Sequence, residues 1–177
     1  MPFFRQRPDL CAALGAVHPH FGQPDRLGLE LTLFGQFRCD IAVADSRSNS
    51  YTLVELEDAR ENSVFNGRKS RQYPKWGARF GDGFSQLLDW AWRLSQEAAA
   101  SSNKEPIFGR TDPDVDFLLM IGRRQWIAES DARRVLWRSK NNPILGHRVT
   151  IWTYDDAFEI LRRRTRTGKE IRASIEA

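Results

Sequence analysis

Three carboxylates sit where the surrounding pattern leaves little reason for acids. The runs Arg38-Cys-Asp-Ile-Ala-Val-Ala-Asp45 and Tyr51-Thr-Leu-Val-Glu-Leu-Glu-Asp-Ala59 flank the polar Ser46-Arg-Ser-Asn-Ser50. Two short runs rich in aliphatic and β-branched residues around a polar turn read as a β-hairpin. Side chains alternate along a strand, so Tyr51, Leu53, Glu55 and Glu57 share one face and Thr52, Val54 and Leu56 the other. If Ala44 pairs with Tyr51, Asp40 falls opposite Glu55. Like charges facing each other across a sheet destabilise it unless something compensates, and a divalent cation would. Hard cations such as Mg²⁺ or Mn²⁺ take oxygen ligands, so Asp40 and Glu55 suffice as the protein's share, with the Leu56 carbonyl as a further oxygen. Such an ion polarises a phosphoryl oxygen and supplies a nucleophilic water near neutral pH.

Phosphoryl chemistry also needs cations. Residues 58–79 form a long polar stretch holding Arg60, Arg68, Lys69, Arg71, Lys75 and Arg79, with turn signals at Asn66-Gly67 and Tyr73-Pro74. Its length exceeds that of a simple connection. Arg68, Arg71 and Arg79 are the candidate nucleic-acid contacts there. The net charge of +4 agrees with a polyanionic partner, though a generally basic surface kept for solubility explains it about as well. The basic tail with Arg162, Arg163, Arg164, Arg166, Lys169 and Arg172 fits phosphate tracking and a solvated helix end favoured by the dipole equally. Cys11 and Cys39 lie in apolar contexts, forming neither a disulfide framework nor a zinc site, and fit a reducing cytoplasm. The N-terminus, broken by Arg5, Arg7 and Pro8, has no signal-peptide pattern, and no apolar run is long enough to span a membrane.

The elements that must position these groups follow from periodicity. Pro8-Asp9 opens a short helix that ends by Gly15 or His18-Pro19. His18 and His20 read as solvated loop histidines. Residues 22–28 read as loop and 29–34 as a strand, where Glu30 is an acid at an edge. Helical spacing runs from Phe84 through Leu87, Leu88, Ala91 and Leu94, with Gln86 on a second stripe and both Trp90 and Trp92 expected in the core. Residues 116–121 form a strand buried on both faces. A helix capped by Ser130-Asp131 follows, then a strand over 147–152, then a helix opened by Thr153-Tyr-Asp-Asp156. At 177 residues this makes an α/β sandwich with a central mixed sheet and helices on its faces.

The pattern Asp40, then Glu55-Leu56-Glu57, resembles the Asp…(Asp/Glu)-x-Lys core of the PD-(D/E)xK nuclease superfamily. The context is more specific: Val-Glu-Leu-Glu-Asp-Ala (54–59), the polar loop with Phe65, Gly-Phe-Ser-Gln-Leu-Leu-Asp-Trp (83–90), Phe-Leu-Leu-Met-Ile-Gly-Arg-Arg (117–124) and Val-Thr-Ile-Trp-Thr-Tyr-Asp-Asp (149–156). Together these resemble the Shedu-type nuclease domain of bacterial anti-phage defence proteins, over roughly residues 30–164. The resemblance implies a restriction-endonuclease-like three-layer fold and a Mg²⁺- or Mn²⁺-dependent DNA endonuclease. Asp40, Glu55 and Glu57 would hold the metal and Gln86 would lean over the site. Glu30 would match an upstream accessory acid. It divides the chain into an N-terminal helix and loop (1–28), the nuclease domain (29–164) and the basic tail (165–177).

One position departs from the superfamily. Glu57 stands where lysine is usual, adding a third carboxylate, as in certain restriction enzymes. Lys69 and Lys75 are the candidates for a displaced lysine. Relatives of this type carry the domain behind other segments and assemble into homo-oligomers, so the chain reads as a minimal member or a fragment. Two rivals to DNA cleavage stay open: a non-catalytic nucleic-acid-binding or sensing module on the same fold, and a nuclease for branched DNA or RNA.

Overall fold

In a computed structural model, which describes residues 2–66, 73–99, 108 and 112–163, the hairpin forms in the expected register. Strand β2 (Phe37–Asp45) runs antiparallel to β3 (Ser50–Leu56), with Ala44 opposite Tyr51 and Ile41 opposite Val54. Asn49 takes a left-handed φ of 54° in the turn, a conformation that asparagine tolerates better than most residues. The Asp45 carboxylate accepts the backbone N–H groups of Arg47 at 3.0 Å and Gly22 at 2.8 Å, tying the turn to the preceding loop.

Strand β1 (Arg26–Leu33) pairs antiparallel with β2 and starts three residues earlier than its alternation suggested. Beyond β3 come the two-residue strands β4 (Phe65–Asn66) and β5 (Lys75–Trp76), which pair with each other inside the long polar stretch. Helix α3 (Ala78–Ala99) follows, after the N-terminal helices α1 (Pro2–Arg5) and α2 (Pro8–Leu14). Strand β6 (Asp114–Met120) lies parallel to β3, helix α4 spans Glu129–Asn141, and strand β7 (Val149–Trp152) lies parallel to β6. A last helix, α5, covers residues 154–163. The sheet order is β1-β2-β3-β6-β7: an antiparallel hairpin unit feeding parallel strands, a mixed α/β sheet.

Each face of that sheet has its own core. Phe80, Phe84, Leu87, Trp90 and Leu94 of α3 pack on Tyr51, Leu53, Phe117 and Leu119, with Val135 of α4 at the margin. Phe4, Cys11 and Leu14 from α1 and α2, with Ala157 and Leu161 of α5, pack on Ile41, Val43, Val54, Leu118 and Met120. The N-terminal helices therefore share the core of the sheet. Each large apolar side chain buried here contributes roughly 1.5–3 kcal/mol, so the two helical layers press the sheet from both sides.

Several local expectations change. Helix α3 begins six residues before Phe84; Gly81 and Gly83 weaken the local helical signal, but burial of Phe80 holds the first turn in place. Trp90 is core, whereas Trp92 is half exposed, because residues two apart cannot share a helix face. Helix α4 has Ala128 at its N-cap and no side-chain cap bond, not Ser130-Asp131. Thr153 and Asp156 do form a reciprocal cap, Asp156 N–H to Thr153 Oγ1 at 3.1 Å and Thr153 N–H to Asp156 Oδ2 at 3.0 Å. His18 is buried, not solvated, beside Asp114 at the start of β6.

Candidate functional site

The carboxylates gather at the carboxyl end of β3, next to the carboxyl end of its parallel neighbour β6, the end of an open α/β sheet where ligands characteristically bind. Tyr51 and Leu53 face α3, so alternation points Glu55 at the same helix. It is 6% exposed. The rung beyond Ile41–Val54 puts Asp40 opposite Glu55, and Asp40 Oδ2 accepts the Leu56 N–H at 2.9 Å. Gln86 reaches down from α3. With its amide nitrogen turned to Glu55, it donates to both carboxylate oxygens, at 2.7 and 2.9 Å.

Burial, then the charges of Asp40 and Glu57, push the Glu55 carboxyl up to about 8; Arg38 only partly offsets them. The Glu57 carboxyl is also raised, chiefly by burial, while Arg79 pulls it down. Glu57 lies just past the end of β3, against Gly83: a Cβ at Gly83 would come within 2.9 Å of Glu57 Cγ and 2.8 Å of Leu119 Cδ1. Glycine at that point of α3 is what lets helix and strand end meet. Asp58, by contrast, is held ionised below the usual range by the Ser63 hydroxyl.

The structure places the remaining candidates less uniformly. Glu30 lies opposite Asp40, but with φ of 52° it interrupts the β1–β2 ladder, which resumes at once on either side as Leu29–Ile41 and Leu31–Cys39. That is a strained conformation for a residue with a side chain. The pleat slips there on both strands, since Leu31 and Cys39 face the α3 core but Leu29 and Ile41 the opposite one. The Glu30 carboxylate pairs with Arg5 of α1 and, at 3.6 Å, with Arg38. Arg79 sits at the start of α3, 3.9 Å from both Asp58 and Asp82. Lys75 is an exposed residue of β5. Arg68, Lys69 and Arg71 lie outside the described residues, as does the tail beyond Arg163.

Among the described residues, the one set of three potential ligand atoms within 4.8 Å of one another is His18, His20 and Asp114, at the opposite end of β6. Asp40, Glu55 and Glu57 are neighbours through their charges without converging that tightly.

One member of the site was not singled out by sequence reasoning. Tyr154, at the start of α5, donates its hydroxyl to the Glu57 carbonyl at 2.6 Å. Burial and the charges of Asp40, Glu57, Asp58 and Glu55 all raise its pKa, keeping it a neutral donor. Two of the sequence motifs noted above hold it there: Arg123 forks onto Asp155 at 2.8 and 2.9 Å, and Arg124 reaches Asp156 at 2.6 Å and Glu159 at 2.8 Å. Tyr154→Phe removes one partly buried hydrogen bond, worth about 1 kcal/mol. It should lower the melting temperature by roughly 2–4 °C in a thermal denaturation scan; an unchanged melting temperature would show that this bond holds nothing.

A mixed sheet with helices on both faces and a buried acidic site at the carboxyl ends of its parallel strands defines an α/β domain with a candidate anionic centre. Residues 1–157 match the family model described as Shedu protein SduA, C-terminal, and the chain belongs to that family, a Shedu-type anti-phage defence domain. The match takes in α1 and α2, which lie upstream of the motifs first compared. No curated protein matches the chain.

Proposed function

We propose that this domain is a metal-dependent DNA endonuclease of the PD-(D/E)xK type, acting in anti-phage defence. The observation that carries the reading is Glu55, a buried carboxyl set between Asp40 and Glu57 and raised to about 8. A protein that stabilised itself alone would not collect like charges in a buried corner; strongly perturbed acids in such a place mark function. The order β1-β2-β3-β6-β7 supports a restriction-endonuclease-like sandwich.

The donor set fits a hard divalent cation. Leu119 flanks Glu55 on β6, but the acids that act on it, Asp40 and Glu57, are both carboxylates, and oxygen donors suit Mg²⁺ or Mn²⁺. Asp40 and Glu55 would hold the ion and Glu57 would add a third carboxylate. When bound, such an ion supplies Lewis-acid polarisation of a phosphate oxygen and a water of lowered pKa. The chain's own groups do the rest. Gln86 fixes the orientation of the Glu55 oxygens, and Tyr154 fixes the Glu57 backbone. Arg79, the cation that acts on Glu57, would face the phosphate backbone. Glu57 leaves the motif's lysine position without a cation, so Arg79 is also the candidate for that charge.

The test is incubation of the full chain with supercoiled plasmid and with linear DNA, in Mg²⁺, in Mn²⁺ and in chelator. Nicking or cutting that needs the metal is expected. Salt-sensitive DNA binding with no cleavage in any of these conditions would replace this reading by that of a binding or sensing module. The looser spacing of the three acids is the observation that favours that second reading.

A further inference from the structure

Where α4 meets the aromatic residues of β5 and α3, one cation has no anion among the described residues. The Arg138 guanidinium lies on a ladder of aromatic rings, its Cζ 4.9 Å from the Trp76 centroid, 5.0 Å from Phe80 and 4.4 Å from Phe84. The rings themselves stack, Phe65 on Trp76 at 4.6 Å and Trp76 on Phe80 at 4.3 Å. Ring faces partly replace the solvation of a guanidinium, but they accept none of its hydrogen bonds. Arg138 Nε is buried without a partner, and among the described residues no carboxylate pairs with this side chain. Its neighbour Arg134 differs: it shares the Trp76 ring and lies over Phe65, but is spent on Asp131 Oδ1 at 3.2 Å and the Pro74 carbonyl at 3.1 Å.

Arg138 borders a cavity of about 250 Å³ lined by Trp76, Arg134, Trp137, Arg138 and Asn142. That is below the ~300–1,000 Å³ of pockets for drug-sized ligands, so it suits one ring system and its substituent. Trp137 at its lip is 64% exposed. An exposed indole beside an unspent planar fork of donors is complementary to a flat ring carrying an anionic oxygen group.

We propose that this cavity binds a single nucleotide unit, its base stacked on Trp137 and its phosphate on Arg138. The nucleotide can come from a nucleic-acid strand or be free in solution; the two present the same chemistry. The site is separate from the acidic one and requires no cleavage.

The test titrates the ¹⁵N-labelled full chain, in chelator, with deoxyadenosine monophosphate, deoxyadenosine, inorganic phosphate and a short single-stranded oligonucleotide. The indole signal of Trp137, assigned from Trp137→Phe, is the readout. The monophosphate should shift that signal and bind more tightly than deoxyadenosine or phosphate, each of which offers half of the recognition. Arg138→Met, read by the same signal, and Trp137→Ala, read by isothermal titration calorimetry against the wild type, should each weaken monophosphate binding by at least ~5-fold, as loss of one stacking partner does. Should Arg138→Met fail to fold, Arg138→Lys keeps the charge without the fork and serves in its place, and Trp137→Ala removes only an exposed side chain. An oligonucleotide that binds more tightly than the monophosphate, and weakens in the same variants, identifies a strand as the source; one that does not identifies the free nucleotide. An unmoved Trp137 signal, or variants that bind the monophosphate like the wild type, would overturn the proposal. Because no metal is present, these outcomes are independent of whether the chain cuts DNA.

Discussion

Glu55→Ala and Asp40→Ala are expected to lose metal-dependent plasmid nicking by more than about 100-fold. Groups that merely orient a metal ligand cost about 10–100-fold when removed, so the ligands themselves should exceed that range and Gln86→Ala should fall within it. Asp40 needs a second variant, because its carboxylate also accepts the Leu56 N–H at 2.9 Å. Losing that acceptor leaves a backbone donor unsatisfied, at a cost of about 1–3 kcal/mol to the fold. Asp40→Asn retains an acceptor while removing the charge, so it separates a structural loss from a chemical one. If Asp40→Asn and Glu55→Ala both nick at the wild-type rate, the acids are not the metal site, and the nicking belongs to groups elsewhere. The gradient is itself informative: a Gln86→Ala loss as large as that of Glu55→Ala would make the amide a direct participant instead of a brace.

The part of this site that sequence could disclose is the part built from short-range order. Alternation over two runs and a polar turn specify the hairpin, and the register then places Asp40 beside Glu55 with no further information. Glu30 is different. Its φ of 52° and its pairing with Arg5 depend on where α1 docks, which no local pattern encodes. Tyr154 reaches a carbonyl 97 residues back in the chain, and His18 meets an acid near the other end of the sheet; both contacts exist only once β3, β6 and β7 are in place. The early start of α3 was hidden for a related reason. Gly83 lowers helix propensity locally, but it is required because Glu57 and Leu119 press against that turn. Tertiary contact outweighs propensity there.

Glu55→Gln should make the metal-free protein more stable above about pH 4.5, and most of all at alkaline pH. Burial and neighbouring charges raise the folded carboxyl to about 8 from an ordinary value of 4.5, so the unfolded chain ionises first. Below about pH 4.5 both states are protonated and nothing is lost. As pH rises towards 8 the unfolded state sheds its proton while the folded state keeps it, and wild-type stability falls across that window. Above it the full penalty is present, at most a few kcal/mol at about 1.4 kcal/mol per pKa unit. Glutamine is close in shape, never ionises, and escapes the penalty. In chelator, Glu55→Gln should therefore melt roughly 5–10 °C above the wild type at about pH 8.5 and level with it at about pH 4. Saturating Mg²⁺ or Mn²⁺ should close that gap from the wild-type side, because a cation that binds the ionised site stabilises the folded state by mass action and has less to bind in the variant. A variant less stable than the wild type at every pH would mean that the Glu55 carboxylate is held by a structural partner, and the electrostatic argument for a metal site would fall. A gap that opens with pH but does not respond to metal would leave a buried, strained acid whose counter-charge comes from the bound nucleic acid's own cations or from Arg79, and would move the search for the catalytic ion away from this corner of the sheet.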